Sequence, residues 1–348
     1  MTNRSALSSK ARSPFPSRHP FWTHEKIYGI LAAAGVVATF LLSIPLFLNW
    51  QQEYEISSAP QSFPVTVNPT TKTIAEDPAV NAMLSAPTTP FTATALNAMD
   101  IFSWLAAAIA SAPWYQALAA TDSRYIVISP GARKEQITAA FGRVFGWDKA
   151  TEQAFLADNA ERPEGTIAPG TYVLAGGASP ASIEDTLQQR FNDIVLSHYA
   201  TSTAKVVPLS EALTIASMIQ RETKDPNDMR VISGIIWNRI FAGMKLQIDS
   251  TVQYAKATKL AAAGNTTNWW PAVLPRDLSL KSPYNTYYAN GLPPGPISDP
   301  SVYAILAALN PIKTDCLYYF HDQNKGFHCS ATYAEHVALL KKYYGQGK

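Results

Sequence analysis

The pattern of apolar and polar positions divides the chain into one long apolar run, a polar stretch without periodicity and a longer region of short amphipathic patterns. Residues 27–48 read IYGILAAAGVVATFLLSIPLFL and contain no charged residue. A helix of that length rises about 33 Å, enough to cross a hydrocarbon core of about 30 Å. The run therefore predicts a single transmembrane helix.

The charges on either side of this run predict its orientation. Five basic residues and one acid precede it, whereas Glu53 and Glu55 follow it. Because basic flanks stay in the cytoplasm, we expect residues 1–26 to be a cytoplasmic tail and the rest to be exported. A cleaved signal peptide is the alternative, but its apolar core would be only about 7–15 residues long. The charge asymmetry argues against a buried helix of a soluble domain.

Two weaker patterns follow the apolar run. Residues 49–90 are rich in Pro, Ser and Thr and lack a sustained period, which predicts a linker. Residues 101–112 form a second apolar stretch that is short for a bilayer and ends before Pro113. We expect a packed or amphipathic helix there, with a second membrane span as the alternative.

The pattern from residue 124 onwards is that of a mixed α+β region. Residues 125–129 and 171–174 are short strand patterns, and residues 133–145 have apolar positions at helical spacing. Ser179, followed by a proline, predicts the start of another helix that runs to about Ser197. Strands that alternate with helices indicate an α+β or an α/β unit, and we expect an α+β fold. The predicted segments are a tail (1–26), a membrane helix (27–48), a linker (49–90), an N-terminal exported subdomain (91–200) and a catalytic domain (201–348).

Composition changes this picture only slightly. Charged residues make up 16% of the 348 residues, against about 25% in a typical soluble domain. The net charge of +2 excludes a nucleic-acid partner bound by bulk charge. Two cysteines exclude a Cys-rich zinc protein, and no His, Cys and acid cluster has the spacing of metal ligands. We therefore expect no metal and no cofactor.

One carboxylate lies on an apolar helix face. Residues 209–223, LSEALTIASMIQRET, have helical periodicity, and Ser210 is a candidate cap. At about 100° per residue, Glu222 lies within about 20° of Ile215 and one turn beyond Met218. Apolar neighbours raise the pKa of a carboxyl, as a general acid requires. Glu222 is therefore a candidate catalytic acid.

Glu222 could instead have a structural role, and the sequence offers it no second catalytic carboxylate on this helix. A surface ion pair with Arg221 or Arg230 is the alternative. Glu211 lies on the same face but roughly 16 Å away along the axis. The paired carboxylates of a glycosidase are at most about 9.5 Å apart, so Glu211 is not its partner.

Polar and aromatic groups suited to sugar binding follow in loops. Alternation places Gln247 and Asp249 on one side of an extended segment, before a helix that Asp249 or Ser250 could cap. The segments YNTY (284–287) and GLPPGPI (291–297) add amide, hydroxyl and aromatic groups. Such groups bind a neutral sugar polymer by hydrogen bonds and stacking.

Six ordered motifs between residues 209 and 336 resemble the MltG/YceG-like endolytic murein transglycosylases. They are LTIASMIQRET, WNRI, GMKLQIDSTVQY, YNTY, GLPPGPI, and LYYF with its G-x-H and EH. Glu222 matches the acid taken as catalytic in that family, whereas Gln220 stands where the family usually has an acid. The LysM-like subdomain that the family carries after its membrane anchor is hard to find in residues 60–120.

The resemblance implies an enzyme of the inner membrane whose exported domain cleaves the bond between N-acetylmuramic acid and N-acetylglucosamine within peptidoglycan strands and leaves 1,6-anhydro ends. Glu222 would protonate the glycosidic oxygen and then deprotonate the C6 hydroxyl that attacks C1. We expect polar and aromatic side chains to line the subsites: Gln247, Asp249, Ser250, Tyr254, Tyr284 and Asn285. Asp249 could instead be only a helix cap. Asn238 and Arg239 lie at the end of a second helical pattern, residues 231–240, and are either scaffold or contact residues.

The family also implies partners. These are the glycan strands, the membrane, and peptidoglycan synthases or the elongation or division machinery. Two other functions stay open: a hydrolytic muramidase, and a non-catalytic wall-binding or division scaffold, which the membrane anchor and Gln220 suggest.

The two cysteines lie on either side of a predicted hairpin. Cys316 and Cys329 flank a strand pattern (317–320) and a turn (322–326), so they are placed to face each other. In an oxidising compartment we expect a disulfide, worth about 3 kcal/mol for such a loop. Two buried free thiols are the alternative. His328 and His336 are expected to be hydrogen-bonded structural residues.

Overall fold

The computed structural model describes residues 24–57, 62–85, 105–106, 108–109, 112, 114–115, 123–158, 162–265 and 268–345. The chain forms two units, residues 1–44 and 45–348. Helix α1 spans His24–Ser57. Across these described ranges, no helix combines the length and the apolar character that a membrane crossing requires. The transmembrane helix predicted for residues 27–48 stays a prediction, and the tail before residue 24 lies outside the described residues.

Part of the predicted linker is folded. Strands β1 (Val67–Asn68) and β2 (Thr73–Ile74) form a short antiparallel hairpin, and helix α2 (Pro78–Ser85) follows. Phe63, Val67, Val80 and Leu84 are buried in the main core. The sequence predicted a linker here because prolines mark the ends of these elements, and the elements are too short to show a period. Residues 86–90 lie outside the described part.

The next region is a two-stranded sheet covered by helices, and its strands and helices alternate along the chain as predicted. Strands β3 (Ser123–Ile128) and β4 (Gly170–Ala175) pair antiparallel from Ser123↔Ala175 to Ile128↔Gly170. Helices α3 (Lys134–Phe145) and α4 (Lys149–Asp158) lie between the strands in sequence, and α5 (Pro180–Ile194) follows. The Ser179 side chain accepts a hydrogen bond from the Ser182 N–H, so the predicted cap is confirmed. A small apolar core joins these elements: Ile126, Ile128, Phe141, Tyr172 and Leu187.

The remaining part is mostly helical and ends in a hairpin and a helix. Its elements are α6 (Thr201–Val206), α7 (Leu209–Glu222), α8 (Pro226–Phe241), α9 (Asp249–Ala262), a 3₁₀ turn (Pro275–Ser279), α10 (Val302–Leu309), β5 (Tyr318–His321), β6 (Phe327–Ser330) and α11 (Tyr333–Tyr344). The described fold is therefore mixed α+β, mostly helical with three small antiparallel sheets.

Helix α7 lies in the centre of the main core. Every residue from Ala212 to Ile219 is buried. Helix α8 packs close to the chain after α10, because a Cβ added at Gly234 would collide with the Ile312 carbonyl oxygen. The Trp237 indole donates to the Ala308 carbonyl oxygen at 2.9 Å. These contacts join α8 to α10 and to the chain after it, and both helices pack against α7, which carries Glu222.

Two predicted helix starts differ from those observed. The residue before α7 is Pro208, and Ser210 is inside the helix, where its carbonyl oxygen accepts from Thr214. Helix α8 begins at Pro226 rather than 231, because the Asp225 side chain caps it by accepting from the Asp228 N–H.

Candidate active site

The carboxyl of Glu222 is held at both oxygens by different elements. Glu222 is the last residue of α7 and is half-buried. Its Oε1 accepts from Ser250 Oγ of α9 at 2.9 Å, and its Oε2 accepts from Tyr319 Oη of β5 at 3.1 Å. In the described part of the chain, no ion pair of Glu222 with Arg221 or Arg230 is observed. Arg221 donates instead to the Gly131 carbonyl oxygen, and Arg230 donates to Asn310 and Asn81.

Opposing effects act on the acidity of Glu222. Burial raises its pKa, and the nearby charge of Asp249 raises it further, whereas the hydrogen bonds from Ser250 and Tyr319 lower the pKa. Burial is the largest effect, so the pKa lies above its ordinary value. A carboxyl subject to such opposing effects can serve as a proton donor and as a proton acceptor.

Asp249 and Gln247 lie on the exposed side of the segment that enters α9. Both are exposed, while Leu246 and Ile248 are buried, as the alternation predicted. Asp249 Oδ1 accepts from Tyr287 Oη at 2.7 Å. Neither Asp249 nor Ser250 caps α9, because the N-cap is Ile248 and the Ser250 hydroxyl is directed to Glu222. The alternative role of Asp249 as only a helix cap is therefore wrong.

Asn285, which we expected to line a subsite, is a scaffold residue. It is fully buried, and its Nδ2 donates to the carbonyl oxygens of Leu278 and Leu280. Its Oδ1 accepts from the Tyr287 N–H. Asn285 therefore orders the loop that presents Tyr287, and it has no exposed surface for a sugar. Sequence pattern could not separate these roles, since both use the same amide.

Tyr254 and Tyr284 form an aromatic cluster of their own. Their ring centroids are 4.7 Å apart. The guanidinium of Arg133 lies 4.0 Å above the Tyr254 ring and 4.6 Å from the Trp269 ring. The structure brings together Glu222, Asp249 and Ser250. The hydrogen bonds to the Glu222 carboxyl described above do not involve the two rings. Tyr254 lies one helical turn beyond Ser250 on α9, so it projects from the same face of that helix.

Asn238 and Arg239 belong to the scaffold. Asn238 Nδ2 donates to the Thr314 and Cys316 carbonyl oxygens at 2.7 and 3.2 Å. Arg239 donates to Leu317 at 2.6 Å and also to the Leu246 carbonyl oxygen. The two side chains therefore join α8 to the segment that enters β5.

The terminal hairpin and its disulfide form as the sequence predicted. Strands β5 and β6 pair antiparallel, with Tyr319 opposite Cys329. Cys316 and Cys329 form a disulfide with a Cα–Cα distance of 5.8 Å. His328 Nε2 lies 2.8 Å from Asp322 Oδ2, so this histidine has a structural partner. The ring of His336 packs against Tyr318 at 5.5 Å.

Sequence reasoning missed Tyr319 and Tyr287 as members of the site. Both lie in motifs that the sequence singled out, LYYF and YNTY. Which of two neighbouring tyrosines faces the carboxyl depends on the register of a strand with only four residues. The two adjacent tyrosines of the LYYF motif therefore indicated this part of the site, but not which of them contacts Glu222.

Gln220 has a structural role that accounts for its position. Its Oε1 accepts from both the N–H and the hydroxyl of Ser301, at 3.0 and 2.6 Å. Ser301 is the N-cap of α10. Gln220 thus connects α7 to the start of α10 and makes no contact that requires an acid. In the part of the chain that the structure describes, no group of three or more His, Cys, Asp or Glu side chains is placed to hold a metal ion.

Comparison with known proteins gives consistent results. The model of the YceG-like family matches residues 96–342. A Bacillus subtilis protein named endolytic murein transglycosylase is 33% identical over 199 residues, which cover 56% of this chain and 52% of that protein. A Streptococcus pneumoniae protein of the same name is 33% identical over 165 residues, covering 47% and 29%. The chain therefore matches about half or less of the length of these curated relatives.

A solved structure supports the fold. The crystal structure of a yceG-like protein from Listeria monocytogenes aligns with a TM-score of 0.52 at 28% sequence identity. The alignment covers 62% of this chain and 75% of the other.

Proposed function

Because the chain belongs to the YceG-like family, we propose that it is an endolytic murein transglycosylase that cleaves the glycan strands of peptidoglycan. The observation that carries this proposal is the Glu222 carboxyl, held by Ser250 and Tyr319 at the end of a buried helix. The names of the relatives from Bacillus subtilis and Streptococcus pneumoniae supply the substrate class.

In the proposed reaction Glu222 acts first as an acid. Its proton passes to the glycosidic oxygen, the bond from that oxygen to C1 of N-acetylmuramic acid breaks, and the N-acetylglucosamine end leaves as an alcohol. The raised pKa of Glu222, caused mainly by burial, favours the protonated form that this step needs.

Glu222 then acts as a base. Its carboxylate removes the proton from the C6 hydroxyl of the same sugar, the C6 oxygen bonds to C1, and a 1,6-anhydro ring closes. Glu222 ends protonated, and no water is consumed. Because attack is intramolecular, proximity supplies much of the rate. The exposed side chain of Asp249 accepts a hydrogen bond from Tyr287 and lies within electrostatic reach of Glu222; its carboxylate would stabilise positive charge at C1.

Asp249 is also the reason to keep a hydrolase as the second candidate. A retaining or inverting glycosidase needs a second carboxylate near its acid, and the charge of Asp249 acts on Glu222. Gln220 no longer favours the alternative of a non-catalytic scaffold protein, because its hydrogen bonds to Ser301 account for a glutamine at this position.

We also propose that the enzyme is anchored in the inner membrane by residues 27–48, with the catalytic domain outside the cytoplasm. The uncharged run, its basic N-terminal flank and the Cys316–Cys329 disulfide support this placement, since disulfides persist in oxidising compartments. On the family resemblance alone, the proposed partners beyond the glycan are peptidoglycan synthases or the elongation or division machinery.

Digestion of purified glycan strands in water enriched in heavy oxygen tests the reaction class. A transglycosylase gives anhydro ends that carry no heavy oxygen in the mass spectrum. A muramidase gives reducing ends that are heavier by one water and carry the label. Strands that are retained by the protein but never shortened would instead identify a binding protein, and either of the last two results contradicts the proposal.

A further inference from the structure

Tyr319, which contacts the Glu222 carboxyl, has a role that rests on the proposed function. We infer that Tyr319 is a positioning residue for Glu222, which fixes the orientation of the carboxyl and stabilises the carboxylate that serves as the base. The inference rests on the hydrogen bond from Tyr319 Oη to Glu222 Oε2 and on how rigidly the tyrosine is held.

The geometry gives each carboxyl oxygen one donor. Ser250 donates to Oε1 from α9, and Tyr319 donates to Oε2 from β5. A carboxylate has about four acceptor sites, so each oxygen keeps a lone pair for the substrate. Two donors from different elements also prevent the carboxyl from rotating about its last bond. Glu222 is therefore oriented before the substrate arrives.

The hairpin holds Tyr319 firmly. The Tyr319 ring stacks on Phe327 with centroids 5.9 Å apart. Its strand partner is Cys329, which is bonded to Cys316 just before the strand. Arg239 donates to the Leu317 carbonyl oxygen from α8. Side chains that direct a catalytic group act best when they are fixed by such supporting contacts.

The groups around Glu222 define the sign of the effect. Asp249 on α9 disfavours the carboxylate, while Arg221 on α7 lies within electrostatic reach of it. Tyr287 and Arg239 interact with Tyr319 from the loop and from α8. Ser250 and Tyr319 are the hydrogen-bond donors that lower the pKa of Glu222. Removing the Tyr319 hydroxyl leaves burial less opposed, so the pKa of Glu222 must rise.

The test is the pH dependence of kcat/KM for release of anhydro ends, compared between the wild type and Tyr319→Phe. We expect the basic limb of the profile to move up by about one pH unit, the size expected for one hydrogen bond to a charged group. At neutral pH we expect kcat to fall about tenfold or more, with little change in KM. A purely structural role for the ring would not move the limb, because phenylalanine keeps the stacking on Phe327.

Tyr318→Phe is the matched control. Tyr318 is the neighbouring residue on β5, and its ring packs against Tyr333 and His336. We expect this variant to keep the wild-type pH profile. An equal shift in both variants would overturn the inference, because the shift would then belong to the strand as a whole.

A second substitution guards against misfolding of Tyr319→Phe. Fluorotyrosine incorporated at position 319 keeps the ring and makes the hydroxyl a stronger donor, so the basic limb should move to lower pH, opposite to Tyr319→Phe. An unchanged limb in the fluorinated protein overturns the inference. Failure of the proposed function is distinguishable, since the wild type would then release no anhydro ends, or Glu222→Gln would release them at the wild-type rate.

Discussion

At the scale of single residues, the behaviour of Glu222 follows from what surrounds its carboxyl. Burial at the end of α7 favours the acid, and the donors Ser250 and Tyr319 favour the carboxylate. A group that must be acid and then base works best when neither form is strongly preferred. In the described part of the chain, the donors that oppose burial are uncharged, and no Lys or Arg forms a salt bridge with Glu222.

Substitutions of Gln220 test whether this residue has only a structural role or takes part in the reaction. In Gln220→Glu, the carboxylate can accept the same two hydrogen bonds from Ser301 at the start of α10, where a negative charge is favourable. We expect near wild-type activity and stability. In Gln220→Leu the Ser301 groups lose their partner, and the free energy of unfolding in urea should fall by about 1–2 kcal/mol.

The activity of these two variants separates the interpretations of Gln220. If Gln220→Glu raised the rate of strand cleavage manyfold, then an acid at this position would take part in the chemistry. The structural role assigned to Gln220 would then be wrong.

Residue roles were predictable where one helix or one alternating segment determines them. The helical period placed Glu222 on the buried face, and alternation placed Gln247 and Asp249 outward. Asn285 and Tyr319 were not assigned correctly because their roles depend on loops and strands that come from other parts of the chain. Their environments arise only when the fold brings those parts together.

At the scale of elements, the β5–β6 hairpin is stabilised by its disulfide. The bond closes a loop with a sequence separation of 13 between Cys316 and Cys329. In the double variant Cys316→Ser/Cys329→Ser, the free energy of unfolding should fall by about 3 kcal/mol, because the unfolded chain is no longer constrained. Urea unfolding with and without reductant measures this.

The reductant provides the internal control for that measurement. It should lower the stability of the wild type towards that of the double variant and leave the double variant unchanged. If the oxidised wild type and the double variant unfolded at the same urea concentration, the stabilising role of the disulfide would be contradicted.

The helices were predicted better than their ends. Apolar periodicity gave α3, α5 and α7 nearly as observed. The start of α8 was placed too late because its first turn is polar and shows no apolar period. The signal for the true start is the cap residue Asp225 followed by Pro226. The strands β1 and β2 have two residues each, too few for any period to show.

At the scale of the whole molecule, a buried pair of carboxyls joins the region around β3 and β4 to the helical part. Asp299 Oδ1 accepts from the Ile167 N–H at 2.8 Å, and Glu164 Oε1 accepts from the Lys134 N–H at 2.8 Å. Burial raises the pKa of both groups, that of Asp299 to about 7, and the charge of Asp299 raises the pKa of Glu164 further. Among the described residues, Glu164 Oε2 and Asp299 Oδ2 have no hydrogen-bond partner.

This pair predicts how stability depends on pH. Between the ordinary pKa of Asp299 and about 7, the folded protein holds a proton that the unfolded chain has released. Stability contributed by this pair should therefore decrease as the pH rises through that window. Asp299→Asn keeps the acceptor for Ile167 and should flatten the decrease, as measured by urea unfolding at several pH values. A steeper decrease in the variant would contradict this account.

The proposed membrane anchor is tested by fractionation. The full chain should remain with the membranes after an alkaline wash, because residues 27–48 are long enough to cross the bilayer. A chain that begins at residue 62 should be released into the soluble fraction. Recovery of the full chain in the alkaline wash would contradict the anchor.

The overall arrangement was predictable in outline. The α+β character followed from alternating strand and helix patterns. The folding of residues 62–85 onto the main core was not predictable, because their prolines and polar residues resemble a linker and their buried residues are few. Packing of distant segments, rather than local pattern, decided that part of the structure.

The central claim is that the Glu222 carboxyl carries the chemistry, and the direct test compares Glu222→Gln with Glu211→Gln. Glu211 lies on the same helix, and burial raises its pKa as well, so it is a matched control. The rate of anhydro-end formation, followed by mass spectrometry of digested strands, should fall at least about a hundredfold in Glu222→Gln and stay close to wild type in Glu211→Gln. Wild-type rates in Glu222→Gln, or equal losses in both variants, would contradict the claim.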